Sequence, residues 1–291
     1  MNQNHTMDRP EPSPAPPRSV LGSFSLEGQP RLMPGGRGQA WRVGEAVLKP
    51  VDVPLAQLDW QASLFDSLQA QTAFRVPTAV MSTEGTLTVE GWYAMTFLQG
   101  RHEPGRWVEI ISAGEAFHSA VASEPRPAFL DERTDPWSIG DRAAWGEIEI
   151  PDLPETKHLA RLVAHLRSLE ALPQLIHGDL TGNVLFEDAL PPAILDLSPY
   201  FRPVPFATAV VVADALAWEG ADSSLLEHFD RSADFPQYLL RAVIYRVVTD
   251  RLFRLDQPLR SDDDDPYLRV VDLAVARASQ ARSRRVHGDA S

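Results

Sequence analysis

Apolar residues follow two rhythms along this chain. Between residues 23 and 100 they come in short runs set off by glycine and proline: Trp41–Val43, Ala46-Val47-Leu48, Ala79-Val80-Met81, Thr86 to Val89 and Trp92 to Leu98. Runs of this length with turn residues on both sides predict strands. One segment breaks the pattern. Leu55, Leu58, Ala62, Phe65 and Leu68 recur at helical spacing between Pro54 and Gln71, which predicts one helix among the strands.

Beyond Gly100 the rhythm is helical. Leu159, Leu162, Val163, Leu166 and Leu169 form one stripe on a helix stopped at or before Pro173. The same reading predicts helices over 107–121, 206–218, 236–253 and 267–281. The stretch 124–154, rich in prolines and charges, reads as irregular. The ends read as tails. Pro10, Pro12, Pro14, Pro16 and Pro17 cannot sustain a helix or ladder, so 1–20 is expected to be a disordered tail. At the other end 282–291, with Arg282, Arg284, Arg285 and a His287-Gly288-Asp289 tripeptide, is expected to be a solvated tail. The class is therefore α+β, with a small antiparallel-sheet part over 21–100 and a mainly helical part over 101–281.

Composition narrows the function. With 291 residues, 44% hydrophobic and 23% charged, the chain supports a folded core of a size at which cores divide in two. It has no cysteine, which excludes disulfides, thiolate metal sites and a cysteine nucleophile. A net charge of -13 argues against nucleic acid as a partner. The most apolar stretch, 206–218, contains Asp214 and is too short to span a membrane, and no secretory signal precedes the fold. A cytoplasmic protein with no membrane partner is the expectation. The acidic run Asp262 to Asp265 reads as a solvent-facing loop.

The segment that carries chemistry is Leu175-Ile176-His177-Gly178-Asp179-Leu180-Thr181-Gly182-Asn183-Val184-Leu185-Phe186, followed by Ala193-Ile194-Leu195-Asp196. An apolar pair delivers the chain to a polar loop, a three-residue strand leaves it, a Pro191-Pro192 turn reverses it, and a second strand ends on a carboxylate. Asn183 and Asp196 are thereby expected to converge, and such an all-oxygen set suits magnesium and a phosphate chain. Upstream, Gly35, Gly36 and Gly38 precede a strand and Lys49 ends the next one, an order in which backbone and ammonium can both approach phosphate.

On these residues the chain resembles the aminoglycoside phosphotransferase family within the protein-kinase-like superfamily, most closely its actinobacterial branch. The resemblance implies a bilobal kinase-like fold that moves the gamma-phosphoryl group of ATP to a hydroxyl of a small molecule, with Mg2+. By it, Asp179 is the catalytic aspartate, His177 the histidine that supports it, and Asn183 and Asp196 the metal ligands. Gly35, Gly36, Gly38 and Lys49 then hold the nucleotide phosphates. The hinge residues Met95, Thr96, Phe97 and Leu98 bound and bind the adenine.

Two departures stand out. The family places its asparagine five residues after the aspartate, whereas here the interval is four, and Gly182 is expected to absorb the difference through a backbone conformation closed to other residues. The helix over 54–71 has no glutamate to hold Lys49, only Asp59, the better placed, and Asp66. These departures leave a nucleotide-binding pseudokinase acting through partners as an alternative, and nucleotidyl transfer to a protein as another. Asp214 is expected to satisfy buried backbone donors, and His118 to be a packed or exposed histidine.

Overall fold

The computed structural model describes residues 13–34, 38–153, 157–229 and 232–288. Contacts divide the chain into two compact units, one running to His102 and taking in Val184–Asp196, the other made of Glu103–Asn183 and the chain from Leu197 onward. The first unit begins with α1 (Arg18–Ser23), β1 (Arg31–Leu32), β2 (Trp41–Val43), β3 (Ala46–Pro50), α2 (Leu55–Ser67), β4 (Ala79–Val80), β5 (Thr88–Val89) and β6 (Trp92–Thr96). The chain then enters the second unit as α3 (Trp107–Ala120), α4 (Pro136–Ala144), α5 (Lys157–Val163) and β7 (Gln174–His177). It returns to the first as β8 (Val184–Glu187) and β9 (Leu190–Ile194), and ends in the second with β10 (Pro199–Arg202), α6 (Val204–Trp218), α7 (Phe235–Phe253) and α8 (Tyr267–Gly288).

The first unit is an antiparallel sheet in the order β1-β2-β3-β6-β4, with β5 also on β6. One face is closed by α1. Val20, Leu21 and Phe24 of that segment pack with Val43, Leu48, Trp92 and Ala94 of the sheet. The expected tail over 1–20 is therefore too long. Its first 12 residues lie outside the described chain, but from Ser13 onward the segment is held: Ser13 N–H donates to Gly38 C=O at 3.1 Å, and Trp41 Nε1 donates to Ser13 Oγ at 3.2 Å. Pro17 sets the extended residue before the helix, and the apolar Val20-Leu21 pair supplies the burial.

In the second unit α7 packs against α4, α5, α6 and α8. α6 is apolar on every side, as a helix enclosed by others must be, with Asp214 among its few polar residues. Three expectations fail here for local reasons. The helix ending near Pro173 stops instead at Val163, because α7 side chains capture the backbone that would continue it. Gln237 accepts from Arg167 N–H at 2.7 Å and donates to His165 C=O at 2.9 Å, while Arg241 donates to Arg167 C=O at 2.9 Å. The stretch read as irregular contains α4, whose start is fixed by the Asp135 side chain accepting from Ser138 N–H at 3.0 Å, with Pro136 at the first helical position. Lastly, α8 runs on to Gly288, so Arg282 lies on a helix rather than in a tail.

Candidate active site

In the first unit, Lys49 lies on β3 opposite Tyr93 of β6, and its Nζ forms an ion pair with Oδ1 of Asp196. Asp59 and Asp66 both stand exposed on α2 and are not its partner. Asp196 reaches Lys49 because the β8–β9 hairpin is bound to the first unit through its backbone. Arg75 N–H donates to Pro192 C=O and Ile194 N–H donates to Arg75 C=O, each at 2.8 Å, and the Arg75 guanidinium bonds Pro191 C=O and Gln99 C=O. On the other side Arg101 and Phe186 exchange backbone bonds at 2.9 and 3.0 Å. This hairpin was assigned from sequence to the helical part, and its tie to Arg75 and Arg101 places it with the sheet.

Pro191 and Pro192 do not turn the chain. They lie inside β9, where the ladder with β8 is irregular between Leu185 and Glu187, so their missing N–H groups cost no regular bond. The reversal is made one step earlier, around Ala189 at φ 62°. Asp196 itself has φ 44°, in the left-handed region that a non-glycine residue enters only when its surroundings hold it there.

The remaining first-unit candidates fall on one hairpin and one strand end. Gly35 and Gly36 lie outside the described residues, and Gly38, at φ 69°, is in the connection between β1 and β2. Met95 is buried on β6 between Val47 and Ala79. Thr96 N–H is taken by Thr78 C=O at 2.8 Å and Phe97 N–H by Glu45 C=O at 2.7 Å, while the Arg42 guanidinium lies 3.5 Å over the Phe97 ring. Both N–H groups are thus taken within the first unit.

In the second unit the loop after β7 is braced at several residues. His118 Nε2 accepts from His177 N–H at 3.0 Å, and His177 Nδ1 accepts from Asp179 N–H at 3.2 Å. Both rings thus act as acceptors. Burial, then the neighbouring His177, pushes His118 down to about 3, so it is neutral in this role. Gly178 N–H donates to Ser198 C=O at 2.9 Å, and a Cβ at Gly178 would stand 2.3 Å from the Tyr200 ring. Leu180 fills the space left by Gly114 of α3.

The shortened interval resolves into a β-turn. Asn183 N–H donates to Leu180 C=O at 3.0 Å, and Gly182, third of the four residues, has φ 80°, the value a type II turn requires there. The Asn183 side chain donates Nδ2 to Asp179 C=O at 2.7 Å, which leaves its Oδ1 as a donor atom for a cation. Asn183 belongs to the second unit and Asp196 to the first. A carboxylate and a carboxamide oxygen are hard ligands that suit magnesium, an ion that keeps several waters and takes the rest of its shell from phosphates. Among the described residues no group of three acidic or histidine side chains forms a protein-only cage.

Two residues were not found from sequence. The Arg246 guanidinium of α7 meets Asp179 Oδ1 at 2.5 Å and both Asp214 oxygens, at 2.8 and 2.6 Å. Asp214 therefore holds a buried cation rather than the backbone donors expected for it. A charged residue within the apolar run Ala242–Val248 was the available signal. His118 was the other, read from sequence as a packed or exposed histidine.

No family model and no curated protein matches the sequence. Solved structures do match in fold. An aminoglycoside phosphotransferase from Alicyclobacillus acidocaldarius superposes with a TM-score of 0.59 over 94% of this chain and 98% of its own, at 15% identity. A microcompartment-associated aminopropanol kinase gives 0.59 over 93% and 97%, at 12% identity. The chain shares the fold of these two enzymes. A spectinomycin phosphotransferase solved with ADP and spectinomycin, at TM-score 0.53 and 12% identity over 91% of this chain and 96% of its own, shares this phosphotransferase fold.

Proposed function

We propose that the chain is an ATP-dependent phosphotransferase of the aminoglycoside phosphotransferase-like family, of its actinobacterial branch, acting on a hydroxyl of a small molecule. The observation that carries this is Asp179, a carboxylate with a 31% exposed side chain just after β7, whose backbone is braced by a pair of buried histidines. A loop that only connected two strands would not need that bracing.

Asp179 orients the acceptor hydroxyl and takes up its proton, and His177 fixes the Asp179 backbone. Lys49 binds the nucleotide phosphates, exchanging Asp196 for them when ATP enters. Asn183 and Asp196 would hold Mg2+, which neutralises phosphate charge when bound. The β1–β2 connection with Gly35, Gly36 and Gly38 covers the phosphates, and the Leu98 peptide, with Met95, Thr96 and Phe97 around it, receives the adenine. Catalysis then rests on positioning and charge neutralisation, with no covalent enzyme intermediate. No helix among the described residues is long and apolar enough to cross a membrane, and we place the enzyme in the cytoplasm, where ATP is supplied.

The ADP-bound neighbour supports ATP as co-substrate, and the Gly182 turn answers one of the two grounds for a pseudokinase reading, the short loop, while the other, the missing helix glutamate, stands. The test is a screen of sugars, amino alcohols and aminoglycosides for acceptor-dependent ADP release, with the product weighed by mass spectrometry. A product heavier by one phosphate is expected. A product carrying AMP, or ATP binding with no turnover beside any acceptor or water, would contradict the proposal.

A further inference from the structure

Arg246 stands in a place that normally excludes charge. Its side chain is 11% exposed, and its neighbours along α7, Tyr245 and Val247, are buried. Burying a guanidinium costs several kcal/mol unless it is paired and hydrogen-bonded. Here burial opposes the charge, but Asp214 and then Asp179 hold the Arg246 pKa well above its usual value. The pairing is graded. Asp214, 8% exposed, takes both Nε and Nη2, a fork that fixes the plane of the guanidinium. The same Nη2 reaches outward to Oδ1 of Asp179, whose side chain is 31% exposed, and Oδ2 of Asp179 has no partner among the described residues. The ring of Tyr245 lies beneath, with the guanidinium 4.9 Å from its centroid, and Tyr245 in turn bonds Tyr200, the residue packed on Gly178.

A salt bridge that served the fold alone would be complete with Asp214, since that pair already satisfies the buried charge. We propose that Arg246 is a positioning residue for phosphoryl transfer: anchored by Asp214, it holds one oxygen of Asp179 so that the other is presented to the acceptor in a single orientation. This rests on the reading of Asp179 as the carboxylate that orients the acceptor. In the step it serves, the acceptor oxygen forms a bond to the gamma-phosphorus and the bond from that phosphorus to the bridging oxygen of ADP breaks. The acceptor proton passes to Asp179 Oδ2 and then to water. Arg246 touches none of the reacting atoms. It contributes by removing the rotational freedom of a half-exposed carboxylate, and misplacement on the scale of 1 Å can cost about 100-fold in rate.

The experiment uses the full-length protein with magnesium ATP and water as acceptor, following ADP release. Arg246→Gln should lower kcat by about 10- to 100-fold with KM for ATP within about twofold of the wild type. Arg246→Lys, which keeps the charge but cannot span both carboxylates, should fall between and decides the matter if the glutamine variant does not fold. In an Asp179→Asn background Arg246→Gln should cost nothing further, because its effect runs through Asp179. Wild-type kcat in Arg246→Gln or Arg246→Lys, or a full additional loss in the double variant, would overturn the inference while leaving the phosphotransferase reading intact. A wild-type protein that binds magnesium ATP but never turns it over would overturn that reading, and the inference with it.

Discussion

Gly178 and Gly182 flank the same short loop and are glycines for different reasons. Gly178 has no room: Tyr200 presses on it, and that ring is fixed by its bond to Tyr245 and by Arg133 5.1 Å from its centroid. Gly182 has open space around it but needs φ 80° to close the turn. Gly182→Ala should thus cost about 1 kcal/mol of backbone strain and leave melting cooperative, whereas Gly178→Ala must displace a braced ring and should cost more in both stability and activity. Thermal melts of the two variants side by side check this, and equal losses would mean the Tyr200 contact is soft. His118 adds a pH effect. Its folded pKa of about 3 lies below the roughly 6.5 of an unfolded histidine, so between these values the unfolded state binds more protons. Its contribution is complete above about pH 6.5 and is lost as pH falls, at about 1 kcal/mol per pH unit. His118→Gln, which keeps an acceptor without a titration, should flatten the fall in Tm between pH 6.5 and 5, and an unchanged slope would remove His118 as its cause. At this scale the sequence shows the polar residues of the loop plainly. It does not show Arg246 or His118 as their supports, because both come from distant helices and carry no local spacing.

Among the elements, α1 is the one the prolines before it obscure. Its six residues are too few to persist alone, so the helix exists because Val20, Leu21 and Phe24 are buried on the sheet. Phe24→Ala should then cost about 3 to 5 kcal/mol in denaturant unfolding. A loss below about 1 kcal/mol would show that the segment is not part of the first unit's core. The strands β2 to β6 and the helices α2, α3, α6 and α7 were legible because each is a periodic or continuous apolar run between clear stops. What was not legible depended on tertiary capture. Leu166 and Leu169 continue the stripe of α5 on paper, yet Gln237 and Arg241 take the backbone away from the helix. The Pro191-Pro192 pair reads as a turn, yet an irregular ladder accepts both prolines inside β9.

Taken as a whole molecule, the chain separates its chemistry by unit. Lys49 and Asp196 lie in the first, with Asp196 carried there by a hairpin that is far away in sequence and bound to Arg75 and Arg101. His177, Asp179 and Asn183 lie in the second. With no glutamate on α2, Lys49 has Asp196 as its partner, a pairing that, on the proposed function, phosphate and cation would have to displace. The net charge of -13 gives the protein no general attraction for phosphate, so the proposed function asks Lys49 to supply it locally.

The decisive comparison is between the wild type and Asp179→Asn, measured for magnesium ATP binding by calorimetry and for ADP release under the same conditions. Loss of the carboxylate removes the group proposed to orient the acceptor and take its proton but keeps the side chain's shape. Binding should stay within a few-fold of the wild type while turnover falls by about 100-fold or more. Wild-type turnover in Asp179→Asn, or binding and turnover lost together, would contradict the assignment of Asp179 as the catalytic carboxylate.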